Sequence, residues 1–248
     1  MNRPVLLVIA HGSRDPRHAA TVQALVRRAG ALRPGLRVET AFLDFNLPSV
    51  TGVLDRLAAE GVRDVVALPL LLTRAFHAKA DVPAVLRQAP ASLRIRQAEV
   101  LGPSPLLVAA VERRLYEAGL APGDKSATGV VLASAGSTDP EAIAVIAETA
   151  RELRRTGWCS VRPAFASASL PRTEDAVRVL RAEPGVRRVA VAPYVIAPGR
   201  LPDRIAAGAA EADVLADVLG PSPELARLLL ARYDGATRAA ERVTAAAV

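Results

Sequence analysis

The chain alternates between short apolar runs and amphipathic stretches along most of its length. The first apolar run, Val5 to Ala10, is unbroken, which is typical of a strand buried on both faces of a parallel sheet. Residues 16–31 then have apolar positions at helical spacing, so a helix is predicted there. The same alternation predicts further strands at 38–43, 65–72 and 93–100, and helices at 48–59, 78–88 and from 105 to about 119. Strands alternating with helices in this way predict an α/β fold, in which a parallel sheet of about four strands carries helices on both faces.

The second part of the chain repeats the first. The matches, in chain order, are HGSRDP with AGSTDP (11–16 and 135–140), FLDFNLP with FASASLP (42–48 and 165–171), and LGPSP with an identical copy (101–105 and 219–223). Their offsets are 124, 123 and 118 residues. Matches in order at a nearly constant offset indicate an internal duplication.

The duplication divides the chain into two predicted half-domains. The first covers residues 1–120, the second covers 129–235, and a polar, turn-rich linker at 121–128 joins them. Residues 236–248 are rich in alanine and lack a capping residue, so this tail is expected to fray.

The turn after the first strand predicts where a ligand binds. Asp15 followed by Pro16 is typical of a helix N-cap with proline at the first helical position. His11 and Gly12 precede this cap, so we expect His11 at the carboxyl end of the first strand. Open α/β sheets bind their ligands in the crevice at that edge.

Composition limits the class of protein. The chain has 248 residues, 51% hydrophobic and 23% charged, which is typical of a globular protein with a large core. Its net charge of +7 favours anionic partners, but the arginines are dispersed and aromatic residues are only 3%, so no nucleic acid is expected. Cys159 is the only cysteine, which excludes a disulfide framework. Without a signal peptide or a membrane-length apolar run, we expect a cytoplasmic protein.

The two copies differ in three polar residues at predicted strand ends. In the first copy these are His11, Asp44 and His77, and the second copy has Ala135, Ser167 and Leu201 at the matching positions. The glycine turn and the Asp-Pro cap are retained in both copies, so the three polar residues are not required by the fold. Their alternative interpretations are solvated or capped histidines and, for Asp44, a turn or cap residue. The remaining histidine, His18, lies on the first predicted helix and is expected to be exposed and inert.

Two imidazoles and one carboxylate at a cleft suit a divalent first-row metal ion. An imidazole also accepts protons near neutral pH, since its ordinary pKa is about 6.5. Arg14, Arg74 and Lys79 flank the two histidines in sequence. This basic rim indicates an anionic ligand that meets a metal.

The segments HGSRDP, FLDFNLP and HAKADVP resemble those of the sirohydrochlorin chelatases of the class II (CbiX/SirB-type) family. The resemblance covers nearly the whole chain, as a long form with two fused half-domains. It implies two flavodoxin-like halves with a carboxylate-rich tetrapyrrole in the cleft between them. It also implies insertion of Fe2+ or Co2+, or Ni2+ in some members, as the metal substrate, with neither ATP nor an organic cofactor.

The resemblance also implies roles for individual residues. His11 and His77 correspond to the family's catalytic histidine pair, and Asp44 stands where the family usually has a glutamate, so these three are the expected metal ligands. The expected substrate-binding residues are Ser13, Arg14, Arg74, Lys79, Arg200 and Arg204. The second half then supplies cationic anchors without chemistry, and the chain is expected to be a monomer with two pseudo-symmetric halves.

Two other functions remain as alternatives. A histidine phosphatase would use His11 as its nucleophile, but Ala10 stands where an arginine preceding the His-Gly pair would steady the phosphoryl group. A non-catalytic carrier of a tetrapyrrole or a metal would have the same ligands, and metal insertion with the His11→Ala variant as reference distinguishes it from an enzyme.

Overall fold

The computed structural model describes residues 3–74 and 77–246, without the side chains of residues 77, 78 and 240–246. The chain divides into two compact units. Met1–Gly102 and Leu225–Val248 form the first, and Pro103–Glu224 forms the second. None of the described helices has the length and apolar character needed to cross a membrane.

The first unit contains a four-stranded parallel sheet. Its strands are β1 (Val5–Ala10), β2 (Val38–Phe42), β3 (Asp64–Pro69) and β4 (Arg94–Gln97), in the order β2-β1-β3-β4. Its helices are α1 (Pro16–Leu32), α2 (Val50–Ala59), α3 (Val82–Leu86) and most of α8 (Pro223–Ala246). The predicted α/β fold with a parallel sheet is confirmed.

The strand β1 is central because its residues are buried on both faces of the sheet. Val5, Leu7 and Ile9 belong to a core cluster that also contains residues of α2 and α3. Leu6 and Val8, which point the other way, are also fully buried. The unbroken apolar run in the sequence is therefore explained by helices on both faces.

The third strand and the helix after it differ from the prediction. β3 ends at Pro69 rather than at residue 72, and Leu71 N–H bonds back to the Pro69 carbonyl in a turn. The segment predicted as one helix over 78–88 begins as a π-helical turn, His77–Asp81, and continues as the short α3. The apolar pattern predicts strand beyond Pro69 because an apolar run alone does not fix where a strand ends.

The second unit repeats this architecture. Its strands are β5 (Thr128–Ser134), β6 (Ser160–Phe165), β7 (Arg188–Tyr194) and β8 (Val214–Leu215), parallel in the order β6-β5-β7-β8. Its helices are α4 (Pro105–Glu117), α5 (Pro140–Arg155), α6 (Thr173–Arg181) and α7 (Arg200–Gly208). The predicted linker is largely a 3-10 turn, Pro122–Ala127.

The compact units and the sequence repeats have different boundaries, because each repeat contributes its last helix to the other unit. The buried stripe of α4 packs on β7 and α5 in the second unit, although α4 lies within the predicted half 1–120. The helix α8 belongs with the first unit beyond residue 224, and Tyr233 donates a 2.8 Å hydrogen bond to the Pro4 carbonyl. The predicted fraying tail, 236–248, is helical as far as Ala246, since alanine continues a helix readily.

The helices α4 and α8, which we call the exchanged helices, each carry an arginine that binds an LGPSP corner. Arg232 on α8 donates to the Val100 and Leu101 carbonyls at 2.8 and 2.7 Å. Arg114 on α4 donates to the Leu219 carbonyl at 3.1 and 3.3 Å. Arg114 and Arg232 are 118 residues apart, which is the offset of the two LGPSP segments.

Candidate functional site

The carboxyl ends of β1, β2 and β3 lie at one edge of the first sheet, and His11 directly follows the central strand there. The order β2-β1-β3-β4 changes direction at β1 and β3, which is the position where open α/β sheets bind ligands. Asp44 follows β2, and its N–H donates a 2.9 Å hydrogen bond to the His11 carbonyl. The predicted proximity of His11 and Asp44 is therefore present in the backbone.

Gly12 allows this close approach. It has φ +98°, and a Cβ at this position would lie 1.8 Å from the Asp44 carbonyl oxygen. Gly136 in the second unit has φ +97°, with Ser167 O at 1.9 Å from the same hypothetical atom. Both copies therefore retain the glycine because the two loops touch through their backbones.

The Asp44 side chain is exposed and takes part in its own turn. Its Oδ1 accepts a 2.8 Å hydrogen bond from the Phe45 N–H, so the turn role considered as an alternative is real. Asn46 Oδ1 accepts a 2.8 Å bond from the Ser13 N–H and ties this loop to the His11 turn. A carboxylate has more acceptor sites than the one used here, so the turn role leaves acceptor capacity for a metal.

Phe45 is a site residue that the sequence analysis did not single out. It has φ 60°, uncommon for a bulky residue, and its side chain remains 50% exposed. Its ring stacks beside His11 with centroids 6.1 Å apart, and the Arg14 guanidinium carbon lies 5.3 Å from its centroid. An exposed aromatic face between an imidazole and a cation suits a flat anionic ligand.

His18 is half-buried, so the prediction that it is exposed is wrong. It continues the buried stripe of α1 formed by Val22, Leu25 and Ala29, at spacings of four and seven residues that the sequence already contains. Its Nδ1 is buried and has no hydrogen-bond partner among the described residues. Burial, and to a smaller degree the charge of His11, lowers the pKa of His18.

The second predicted imidazole is located only through its backbone. His77 is the first residue of the π-helical turn that follows β3, and its side chain lies outside the described residues. Arg74 and Lys79, on either side of it, are both exposed. Among the side chains that the structure describes, no three histidine, cysteine or acidic residues form a metal-binding group.

Ser13 and Asp15 shape the start of α1. Asp15 caps the helix through a 2.9 Å bond from the Arg17 N–H, and its contacts with Arg17 hold its carboxyl pKa below the usual value. This confirms the predicted cap. Ser13 Oγ accepts a 3.1 Å bond from the Asp15 N–H, and Ser137 makes the same 3.0 Å contact with Asp139.

The second unit has an open cavity of about 570 Å3 at the corresponding edge of its sheet. Its lining comprises Ala166, Ser167, Ala168, Arg172, Arg200, Leu201 and Arg204. It therefore brings together the two predicted anchors, Arg200 and Arg204. Arg172 was not predicted, although the offset of 123 residues assigns it to the place of Ser49 in the first copy.

The chain is similar to known chelatases in sequence and fold. It is 27% identical over 208 residues to the sirohydrochlorin cobaltochelatase of Priestia megaterium, covering 81% of this chain and 66%, just under two thirds, of that protein. It is also 27% identical to the sirohydrochlorin ferrochelatase of Bacillus subtilis, covering 82% of this chain and 78% of that one. The solved structure of SirB from Bacillus subtilis with Fe3+ has the same fold, with a TM-score of 0.83, 23% identity, and coverage of 96% of this chain and 97% of that one.

The family comparison covers both repeats. The CbiX family model matches residues 5–118 and 129–236, which together make up most of the chain. These matches include the His11 turn, the loop of Asp44 and Phe45, and the arginine-lined edge of the second unit. The chain therefore belongs to the CbiX family, as a long form that contains two copies of the family's repeat.

Proposed function

We propose that the chain inserts a divalent metal ion, Fe2+, Co2+ or Ni2+, into sirohydrochlorin, and that it needs neither ATP nor an organic cofactor. The names of its relatives, cobaltochelatase and ferrochelatase, support this reaction and both of the first two metals. The observation that supports the proposal most is the position of His11. This residue follows the central strand at the ligand-binding edge of the first unit, whereas the equivalent position of the second unit is Ala135.

The reaction requires a base and a metal ligand at the same place. Two pyrrole N–H protons leave the macrocycle as one divalent ion enters, so the products are the metallated ring and two protons. A neutral imidazole can bind the incoming ion or accept one of these protons. His11 is half-buried and near the solvent edge, where either role is possible.

We further propose His11, His77 and Asp44 as the groups that hold the metal before insertion. The Asp44–His11 backbone bond supports this set, because it keeps the two loops together whatever the side chains do. Two imidazoles and one carboxylate leave coordination positions for the ring nitrogens, and such ligands accept several divalent ions. Availability of the metal then decides which one is inserted.

Phe45 and the nearby cations are proposed to orient the macrocycle. The exposed Phe45 ring offers a face for stacking, and Arg14 beside it offers a charge for a ring carboxylate. Arg74 and Lys79 are exposed on the segment that follows β3 and supply further positive charge. Charge-assisted hydrogen bonds from these groups would fix the orientation of the ring as well as its affinity.

Ser13 also belongs to the proposed substrate site, and its hydroxyl has a structural contact as well. Its hydroxyl accepts the Asp15 N–H, and Ser137 does the same in the copy that lacks the histidines. A hydroxyl can still donate its proton to a substrate oxygen while accepting this bond.

The proposal is tested by following the absorbance change of sirohydrochlorin with Co2+, and separately with Fe2+, in the presence and absence of the protein. An enzyme accelerates metallation at protein concentrations far below that of the substrate. A carrier binds sirohydrochlorin stoichiometrically and leaves the rate equal to that of the protein-free reaction, which would contradict the proposal. Hydrolysis of phosphate monoesters without metallation would favour the phosphatase alternative.

We also propose that the active form is a monomer, since one chain contains both copies of the repeat. Sedimentation equilibrium at assay concentrations tests this. A mass near 26.0 kDa is expected, and twice that mass would overturn it.

A further inference from the structure

The cavity of the second unit lies at the same edge of its sheet as the His11 site of the first. Ala166 and Ala168 lie in the loop after β6, and Arg172 is the N-cap residue of α6. Arg200 and Arg204 come from the beginning of α7. The arginines therefore come from two separate elements and line one opening.

The two copies have opposite chemistry at this edge. Where the first copy has His77, the second has Leu201, and the flanking Phe76 and Ala80 are replaced by Arg200 and Arg204. Arg172 replaces Ser49, which caps α2 in the first unit through a 3.2 Å bond to the Gly52 N–H. The second copy thus lacks the metal-type ligands of the first and has three cations at positions that are uncharged in the first.

The side-chain contacts of Arg204 with Glu174 and of Arg172 with Phe165 within the unit are long or exposed. Arg204 reaches Glu174 at 3.5 Å, in a pair whose side chains are 56% and 42% exposed, and such exposed pairs contribute little to stability. Arg172 donates to the Phe165 carbonyl at 3.5 Å, at the limit of a hydrogen bond. Three guanidinium groups around one cavity repel one another, and a bound anion removes that repulsion.

Besides its positive charge, the cavity has two further features that bear on anion binding, the start of α7 and an apolar lining. The N-cap of α7 is Gly199, which has no side chain to cap the helix, so it satisfies neither the Arg200 N–H nor the Leu201 N–H, while Pro202 in the same turn has no N–H. Leu201 and the two alanines provide apolar walls, which strengthen the electrostatic interactions of a bound anion.

We propose that this cavity is a carboxylate-binding site that determines which tetrapyrroles the protein accepts, with Arg172, Arg200 and Arg204 each binding carboxylate oxygens. The proposal rests on the proposed function for the identity of the ligand. A guanidinium fork matches a carboxylate in a bidentate pair, whereas metals are repelled by this cluster. The second unit therefore selects a polycarboxylate macrocycle over one with few acidic groups.

The test is equilibrium binding of metal-free sirohydrochlorin, measured by its absorbance or fluorescence change. We expect the double variant Arg200→Ala/Arg204→Ala to raise the Kd at least about tenfold and to weaken its dependence on salt. Adding Arg172→Ala should raise the Kd further. The matched control is Arg178→Ala, an exposed arginine of α6 paired with Asp175, and its Kd should stay within about twofold of the wild-type value.

Two further arms identify the ligand. Inorganic phosphate should compete with sirohydrochlorin in the wild type and lose that effect in the double variant. If phosphate binds but the double variant binds sirohydrochlorin as the wild type does, the cavity holds free anions and the proposal is overturned. Arg200→Lys/Arg204→Lys keeps the charge without the bidentate guanidinium, so its Kd for sirohydrochlorin should lie between those of the wild type and the double alanine variant. Kd values equal to that of the wild type in all variants would also overturn the proposal.

The binding assay separates this proposal from the proposed function, because it contains no metal. Arginine-dependent binding without metallation would count against the chelatase reaction alone. Normal metallation with binding that is insensitive to the three arginines would count against the cavity alone.

Discussion

His11 and Ala135 occupy the same place on the same glycine turn in two copies of one fold. The loop contacts around them are alike, since Asp44 N–H bonds to the His11 carbonyl and Ser167 N–H bonds to the Ala135 carbonyl, at 2.9 and 3.0 Å. The backbone of the turn therefore does not depend on the imidazole. His11 is present in one copy only, at the edge where open α/β sheets bind ligands, and we therefore propose that it serves the reaction and not the fold.

The glycine of this turn is needed in both units. Gly12→Ala and Gly136→Ala should each lower the free energy of unfolding by more than Gly35→Ala does. All three positions have positive φ, which costs alanine about 1–2 kcal/mol, but a Cβ at Gly35 meets no atom within 4 Å. Denaturant unfolding of the three variants measures the difference, and equal losses would show that the contact between the loops carries no weight.

His18 should make stability depend on pH. Its pKa is lowered in the folded protein, chiefly by burial, so the unfolded chain takes up the proton first as the pH falls below about 6.5. The contribution of His18 to the free energy of unfolding is complete above that pH and declines below it. His18→Leu should therefore flatten the fall in stability between about pH 7 and 5. An unchanged slope in urea unfolding across this range would contradict the assignment.

The sequence contained part of this residue-level picture. The spacing of His18 with Val22, Leu25 and Ala29 is sufficient to predict its burial, because helical periodicity depends only on sequence. The stacking of Phe45 on His11 was beyond prediction, since it depends on the left-handed backbone of Phe45. The arginine cavity forms because two elements meet at one edge of the sheet. The repeat offsets assign the arginines to matching positions, but they do not show that the three side chains line one cavity.

At the scale of elements, the approximate positions of β1, β2 and β3 and the parallel sheet follow from the apolar runs and the helices between them, whereas the apolar pattern does not predict the strand order. The end of β3 and the π-helical turn after it do not follow from the pattern either, because apolar residues continue past Pro69 into the turn. The exchange of α4 and α8 was also beyond the pattern. An amphipathic stripe shows which face of a helix is buried, and it does not show which sheet covers that face.

The stability of the contacts made by the exchanged helices α4 and α8 should depend on Arg114 and Arg232. Arg232→Ala removes two hydrogen bonds to the Val100 and Leu101 carbonyls, and Arg114→Ala removes those to the Leu219 carbonyl. Each change should lower the free energy of unfolding by about 1.5–3 kcal/mol, the range for hydrogen bonds with a charged partner.

The control for this pair is Arg151→Ala, which removes an exposed contact with Glu148 on α5. Its effect should stay within about 0.5 kcal/mol. If both corner variants unfold at the same denaturant concentration as this control, the arginines do not fasten the exchanged helices.

At the scale of the whole molecule, the two copies of one fold carry different side chains at the same edge of their sheets. The first unit presents His11 beside a carboxylate loop and an exposed aromatic ring, and the second presents three arginines around a cavity. A metal ion and a polyanion are both substrates of the proposed reaction. We propose that the first unit acts on the metal and the second binds the polyanion, which accounts for a chain with two copies of the repeat and histidines in only one.

The most direct measurement of this central claim compares initial rates of cobalt insertion into sirohydrochlorin for the wild type, His11→Ala and Ala135→Gly. The wild type and Ala135→Gly should insert cobalt at similar rates, since we propose no catalytic role for the second turn. His11→Ala should fall to the protein-free rate while it binds metal-free sirohydrochlorin with an unchanged Kd. A His11→Ala protein that metallates sirohydrochlorin as fast as the wild type would contradict the account.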